Sequence, residues 1–85
     1  MNVLIPSALH SYTGRGRVQA AGASVADLLA DLDRQFPGIR FRMVDEQERL
    51  RAHLRVFVNG VQTFDLAQAL RATDEVAIVQ ALSGG

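Results

Sequence analysis

Residues 24–38 read SVADLLADLDRQFPG, and this stretch predicts the element around which the fold is built. Ser24 followed by Asp27 is close to a capping box, so we expect a helix to begin there. Apolar side chains then recur at the i, i+3, i+4 and i+7 spacing of a helix, at Val25, Leu28, Leu29, Leu32 and Phe36. Pro37-Gly38 is typical of a helix end. A single apolar stripe predicts that this helix packs on a sheet.

Short apolar segments on both sides of the helix predict that sheet. Residues 2–5 and 17–20 are expected to form a hairpin with a long loop. Residues 54–58 alternate strictly before Asn59-Gly60, the dipeptide most typical of a tight hairpin turn. Residues 76–80 form the last predicted strand. A helix crossing between the second and third strands indicates an α+β domain, a small mixed sheet packed on one main helix.

The inward positions of these elements define a predicted core. Its members are Val3, Ile5, Val25, Leu28, Leu29, Leu32, Phe36, Val56, Val58, Val76 and Ile78. Two segments are harder to interpret. Residues 39–53 mix apolar and charged side chains without a period, so we expect a loop with at most one helical turn. Residues 66–70 are expected to form a short helical turn.

The length of 85 residues predicts one domain, which we place at residues 1–80, followed by an extended tail at 81–85. Gly84 and Gly85 have no side chains, so this tail could pass through a narrow channel. At about 3.3 Å per residue, its five residues could reach roughly 16 Å into a partner. The tail alone leaves open whether it is functional or a frayed terminus.

Composition excludes several kinds of chemistry. The chain has no cysteine, which rules out disulfides, thiolate catalysis, Cys-ligated zinc and iron-sulfur clusters. The start of the chain does not resemble a secretory signal, and no segment has 18 consecutive apolar residues, so we expect a cytoplasmic protein without membrane contact.

The charged residues indicate no nucleic-acid partner. Formal net charge is zero, and all nine basic residues are arginines. Six of them fall in the middle of the chain, at Arg34, Arg40, Arg42, Arg49, Arg51 and Arg55. Because Asp45, Glu46 and Glu48 are interleaved with them, we interpret this region as a solvated face of mixed charge. A chain without lysine could also not be extended by conjugation to its own lysine side chains.

The two histidines indicate neither catalysis nor a metal site. His10 and His53 do not have a metal-ligand spacing, and no paired carboxylates or Ser-His-Asp pattern accompany them. Solvated or structural roles are the favoured interpretation. We therefore expect no catalytic residue, no metal and no bound cofactor.

Several segments together resemble one known family over essentially the whole chain. The matching segments are Pro6, Leu9 and Tyr12-Thr13-Gly14, then Ser24-Val25, Leu28-Leu29 and Leu32, and finally residues 36–39, 56–60 and 74–78. With the Gly-Gly tail, the sequence resembles the ubiquitin-like β-grasp proteins of the bacterial sulfur-carrier family. That family includes the small subunit of molybdopterin synthase and the carriers of thiamine and cysteine synthesis.

This resemblance implies a protein that serves as a co-substrate and is not itself an enzyme. An activating adenylyltransferase would use ATP to convert the carboxylate of Gly85 to an acyl-adenylate, and a persulfide donor would supply the sulfur of a thiocarboxylate. Gly84, Ser83 and Leu82 would contact the channel of the partner. A downstream enzyme would accept the sulfur, for molybdopterin, for the thiamine thiazole or for a cysteine precursor.

A partner surface is expected on the sheet. Phe57 alternates with Val56 and Val58, so it should lie on the outer face, and with Val79 it should dock the activating enzyme. Two other functions remain open. The chain could be a ubiquitin-like modifier that is conjugated through Gly85, or a non-covalent β-grasp interaction module.

Overall fold

Five strands form one mixed sheet in the computed structural model, which describes residues 1–81 of the chain. The strands are β1 (Asn2–Leu4), β2 (Arg17–Gln19), β3 (Leu54–Val58), β4 (Val61–Thr63) and β5 (Val76–Gln80). Their order across the sheet is β2-β1-β5-β3-β4. β1 and β5 are parallel, whereas the other neighbours are antiparallel. The predicted α+β class and mixed sheet are confirmed, and β4 is a strand that was not predicted.

The main helix begins and ends where its sequence predicts. The helices are α1 (His10–Thr13), α2 (Val25–Gln35) and α3 (Ile39–Met43), and a 3-10 turn over Ser7–Leu9 precedes α1. The Asp27 amide donates to Ser24 Oγ at 3.1 Å, which caps the first turn of α2. Gly22 lies against the start of α2, since a Cβ there would stand 2.4 Å from the Leu28 nitrogen. Within residues 1–81, no helix has the length and apolar character that crossing a bilayer requires.

The core lies between α2 and the inner face of the sheet. Every predicted core residue is buried except Phe36, which is half-buried and packs against the edge of the core. Phe36 follows the last helical residue, so the helical period no longer sets its direction. The buried members that were not predicted are Leu9, Val18, Ala20, Ile39, Met43, Val44, Leu54 and Leu70.

Residues 39–53 contribute more to the core than their sequence indicates. α3 is a little more than one turn long, and Ile39 and Met43 on its inner side are fully buried. Val44 is also buried and forms an isolated bridge with Leu50. A five-residue helix offers one i, i+4 pair, which is too short a pattern to be recognised as periodic.

The helical turn predicted for residues 66–70 is wrong. This segment is a turn followed by an isolated bridge between Ala69 and Ser24. Its carbonyl groups accept hydrogen bonds from the first turn of α2: the Val25 amide donates to Gln68 at 3.0 Å, and the Ala26 amide donates to Leu66 at 2.8 Å. The backbone therefore satisfies the free donors of another helix instead of forming its own.

The predicted hairpin between β1 and β2 is confirmed, with Val3 opposite Val18. Its long loop is not irregular, because it contains α1 and the preceding 3-10 turn. His10 Nε2 donates to the carbonyl oxygen of Ile5 at 2.9 Å, which supports the structural interpretation of this histidine. The loop thus folds back on the end of β1.

The turn between β3 and β4 is attached to the start of β5. Asn59 adopts a φ of 50° and Gly60 a φ of 83°, as the predicted tight hairpin requires. The side-chain Nδ2 of Asn59 donates to Asp74 Oδ1, and the backbone amide of Glu75 donates to Asn59 Oδ1, each at 2.9 Å. Donation from the Arg71 amide and from Asn59 lowers the pKa of Asp74 below its usual value. These hydrogen bonds between the turn and residues 74–75 fix the position at which β5 enters the sheet.

Candidate functional site

The end of β5 determines where the C-terminal tail leaves the domain. β5 lies between β1 and β3, and its last residue, Gln80, pairs with Leu54. The Ala81 amide donates to the His53 carbonyl oxygen at 2.7 Å, so strand pairing continues one residue beyond β5. The tail therefore starts from a position held by the backbone of the sheet.

The predicted tail residues Leu82, Ser83, Gly84 and Gly85 lie outside the described residues. Their roles in sulfur loading and channel contact therefore stay predictions, as does the division into a domain of residues 1–80 and a tail.

The structure brings the two predicted partner-surface residues together on the outer face of the sheet. Phe57 is half-buried and Val79 is 42% exposed. Phe57 pairs with Ala77, and Leu4 pairs with Ala77 from the other side. Leu4, Phe57, Ala77 and Val79, which we call the outer-sheet patch, line one depression of about 270 Å³. The depression runs along β5 from Glu75, just before the start of the strand, to Val79, one residue before its end.

Leu4 and Ala77 are members of this patch that the sequence analysis did not single out. The alternation of Val3 inward and Leu4 outward was a usable signal, since Leu4 is 43% exposed. Their proximity to Phe57 was not visible in the sequence, because it depends on β5 lying between β1 and β3. The rim of the depression carries charges of both signs, from Arg17 and Glu75.

The described part of the chain offers little for metal binding. Among residues 1–81, no group of three or more histidines and carboxylates is arranged to hold an ion. His53 contributes its carbonyl oxygen to the start of the tail, and His10 is engaged with Ile5.

Comparison with known proteins shows which family this chain resembles. The ThiS family model matches residues 3–85. The sulfur carrier protein CysO of Mycobacterium tuberculosis is 30% identical over 91 residues, covering 100% of this chain and 98% of that protein. A chain of the Amycolatopsis orientalis BexX/CysO complex superposes with a TM-score of 0.90 at 32% identity, covering 99% of this chain and 98% of the other.

A second similar structure is the small archaeal modifier protein 1 of Haloferax volcanii. It has a TM-score of 0.79 at 28% identity, covering 96% of this chain and 97% of the other. These similarities confirm the predicted ubiquitin-like β-grasp fold. Since the family model extends over nearly the whole chain, the protein belongs to the ThiS family.

Proposed function

We propose that this chain is a sulfur carrier that holds sulfur as a thiocarboxylate on Gly85 and acts as a protein co-substrate. The observation that carries the proposal is that the similarity to the ThiS family runs through residue 85 and so includes the Gly-Gly tail. The full-length similarity to CysO supports the same function. A chain without cysteine needs another group to carry sulfur, and a terminal carboxylate can supply it.

The chemistry requires activation because a carboxylate is a poor acyl electrophile. An activating enzyme would transfer AMP from ATP to the Gly85 carboxylate and release pyrophosphate. The terminal sulfur of a persulfide would then attack the acyl carbon and displace AMP, leaving an acyl disulfide. A thiol of the donor system would reduce that bond, releasing the thiocarboxylate and forming a disulfide between the two thiols. ATP is thus a substrate of the activating partner and no resident cofactor is needed.

The folded domain would hold the tail at its start and provide the surface that the activating enzyme binds. Ala81 is tied to His53, and four residues follow it, which at about 3.3 Å each gives a reach of roughly 13 Å from the sheet. The outer-sheet patch reaches Val79, two residues before Ala81, and would hold the activating enzyme while the tail enters it. A downstream enzyme would then take the sulfur, and the similarity to CysO favours a cysteine precursor over molybdopterin or the thiamine thiazole as the acceptor.

The test combines the chain with its activating enzyme, ATP and a persulfide donor and measures the intact mass. We expect a gain that equals replacement of one oxygen by sulfur, confined to the C-terminal peptide. The gain should require ATP, because only the adenylate is reactive toward the persulfide. An unchanged mass under conditions that consume ATP would contradict the carrier function.

A second candidate function is protein modification through Gly85. The similarity to small archaeal modifier protein 1 favours it, and it needs the same adenylate. The two functions differ in the product, since a modifier would form an amide with a lysine of another protein. Mass analysis of the chain from its native host separates a thiocarboxylate from such a conjugate.

Truncation of Phe57 should weaken binding of the activating enzyme. A half-buried aromatic side chain at the centre of an apolar patch is the kind of residue that dominates interfaces, so we expect Phe57→Ala to raise the Kd about tenfold or more. Phe64→Ala is the matched control, because Phe64 is 68% exposed and does not line the patch. Equal affinities of the two variants, measured by titration, would remove Phe57 from the interface.

A further inference from the structure

A second concave surface lies beside the start of the tail. Phe41, Arg42, Arg51 and His53, which we call the basic pocket, line a depression of about 490 Å³ whose wall includes Gln80. Gln80 and Leu54 pair on the helix-covered side of the sheet, whereas the outer-sheet patch lies on the other side. The two surfaces therefore flank the point from which the tail leaves.

The packing of α3 determines that this surface faces outward. Ile39 and Met43 are fully buried, which turns Phe41 and Arg42 away from the core. Phe41 is 64% exposed and lines the same depression as Arg42 and Arg51. Exposed aromatic and arginine side chains together are typical of the energetic centre of a protein interface.

Neutral groups hold both arginines in place. Arg42 Nε donates to Tyr12 Oη at 3.0 Å, and Arg51 Nε donates to the Phe41 carbonyl oxygen at 2.8 Å. The Arg51 guanidinium also lies 4.9 Å from the centre of the Phe41 ring. These contacts orient the two guanidinium groups, so less side-chain entropy is lost when a partner binds them.

The charges of these arginines are not neutralised within the described domain. Ion pairs between side chains of residues 1–81 join Arg34 to Asp31 and Arg40 to Glu48. Neither Arg42 nor Arg51 forms such a pair with a carboxylate of these residues. Among residues 1–81, Glu46 is the one acidic residue that lines the depression. Two oriented guanidinium groups line it together with this single carboxylate, so the depression carries an excess of positive charge.

We propose that the basic pocket docks an acidic segment of the activating enzyme, next to the channel that receives the tail. The inference rests on the proposed function, since the enzyme that binds the tail must cover the surface from which the tail leaves. The partner segment should present carboxylates to Arg42 and Arg51 and an apolar side chain to Phe41. Arginine forks match carboxylates bidentately, which gives this contact specificity as well as attraction.

Removing positive and negative charges from the basic pocket in separate variants tests the proposal. The double substitution Arg42→Gln and Arg51→Gln should raise the Kd for the activating enzyme about tenfold at low ionic strength and flatten its salt dependence. Glu46→Gln removes the opposing charge from the same depression, so it should tighten binding about two- to threefold. Weaker binding of Glu46→Gln together with tighter binding of the double variant would indicate a basic partner and overturn the proposal.

Two further variants control for structure. Arg71→Gln removes an exposed arginine that precedes β5, at the opposite end of that strand from the tail, and should leave the Kd unchanged. Replacing Arg42 and Arg51 with lysine keeps both charges and should restore the salt dependence but not the full affinity. Thermal unfolding of every variant checks that the domain is intact.

The outcomes separate this inference from the proposed function. Wild-type chain that gains sulfur, together with a double variant of unchanged affinity, would overturn the basic pocket alone. Wild-type chain that gains no sulfur with ATP and persulfide would overturn the proposed function and this inference with it. Loss of affinity in the double variant, with Arg71→Gln unaffected, supports the docking of an acidic segment.

Discussion

Deletion of Gly85 should reduce sulfur loading to background. The deletion moves the terminal carboxylate back by about 3.3 Å, whereas a misplacement of about 1 Å can already cost a hundredfold in rate. Binding of the activating enzyme should change much less, because the outer-sheet patch lies in the folded domain. The measurement is the intact mass after incubation with the activating enzyme, ATP and persulfide.

Two further tail variants separate the effect of the position of the carboxylate on sulfur loading from the effect of the width of the channel. One residue added after Gly85 should also abolish loading, because it replaces the reactive carboxylate with an amide. Gly84→Val leaves the length unchanged and tests instead whether the channel tolerates a branched side chain. Loading of the Gly85 deletion at the wild-type rate would contradict the assignment of Gly85 as the residue that carries the sulfur.

Truncation of Leu32 should destabilise the domain by about 2 to 5 kcal/mol. Leu32 is fully buried on α2 as a member of the hydrophobic core, and the truncation leaves a cavity there. A domain of this size has a total stability of about 5 to 15 kcal/mol, so this substitution removes a large part of it. Urea unfolding of Leu32→Ala measures the loss directly.

The matched control truncates an apolar side chain on the surface. Val61 is 70% exposed on β4, so Val61→Ala should cost less than about 1 kcal/mol. A loss below about 0.5 kcal/mol in Leu32→Ala, similar to that of a surface site, would contradict the packing of α2 on the sheet.

The predictable parts of the fold share one property, which is that their signal lies within a few residues. The stripe of α2, its cap at Ser24 and the turn at Asn59-Gly60 were all found where the sequence predicts them. The outward direction of Phe57 followed from strand alternation in the same way. Phe36 was misplaced in the core because it lies just past the helix whose period was extended to it.

Segments that are ordered by distant partners could not be interpreted from their own residues. Residues 66–70 have a helical composition, yet their carbonyl groups accept hydrogen bonds from the start of α2, about 40 residues away in the chain. α3 is too short to show a period, although Ile39 and Met43 are fully buried. In both cases tertiary contacts outweigh local preference.

The sequence by itself determined the main helix and the inward faces of the strands, because periodicity and turn type are local properties. The tertiary structure alone decided that β5 is central, with Leu4 and Phe57 on either side of Ala77. It also brought Arg42 and Arg51 to the start of the tail. The outer-sheet patch and the basic pocket both depend on which strands and loops become neighbours, and that is settled by burying the whole core at once.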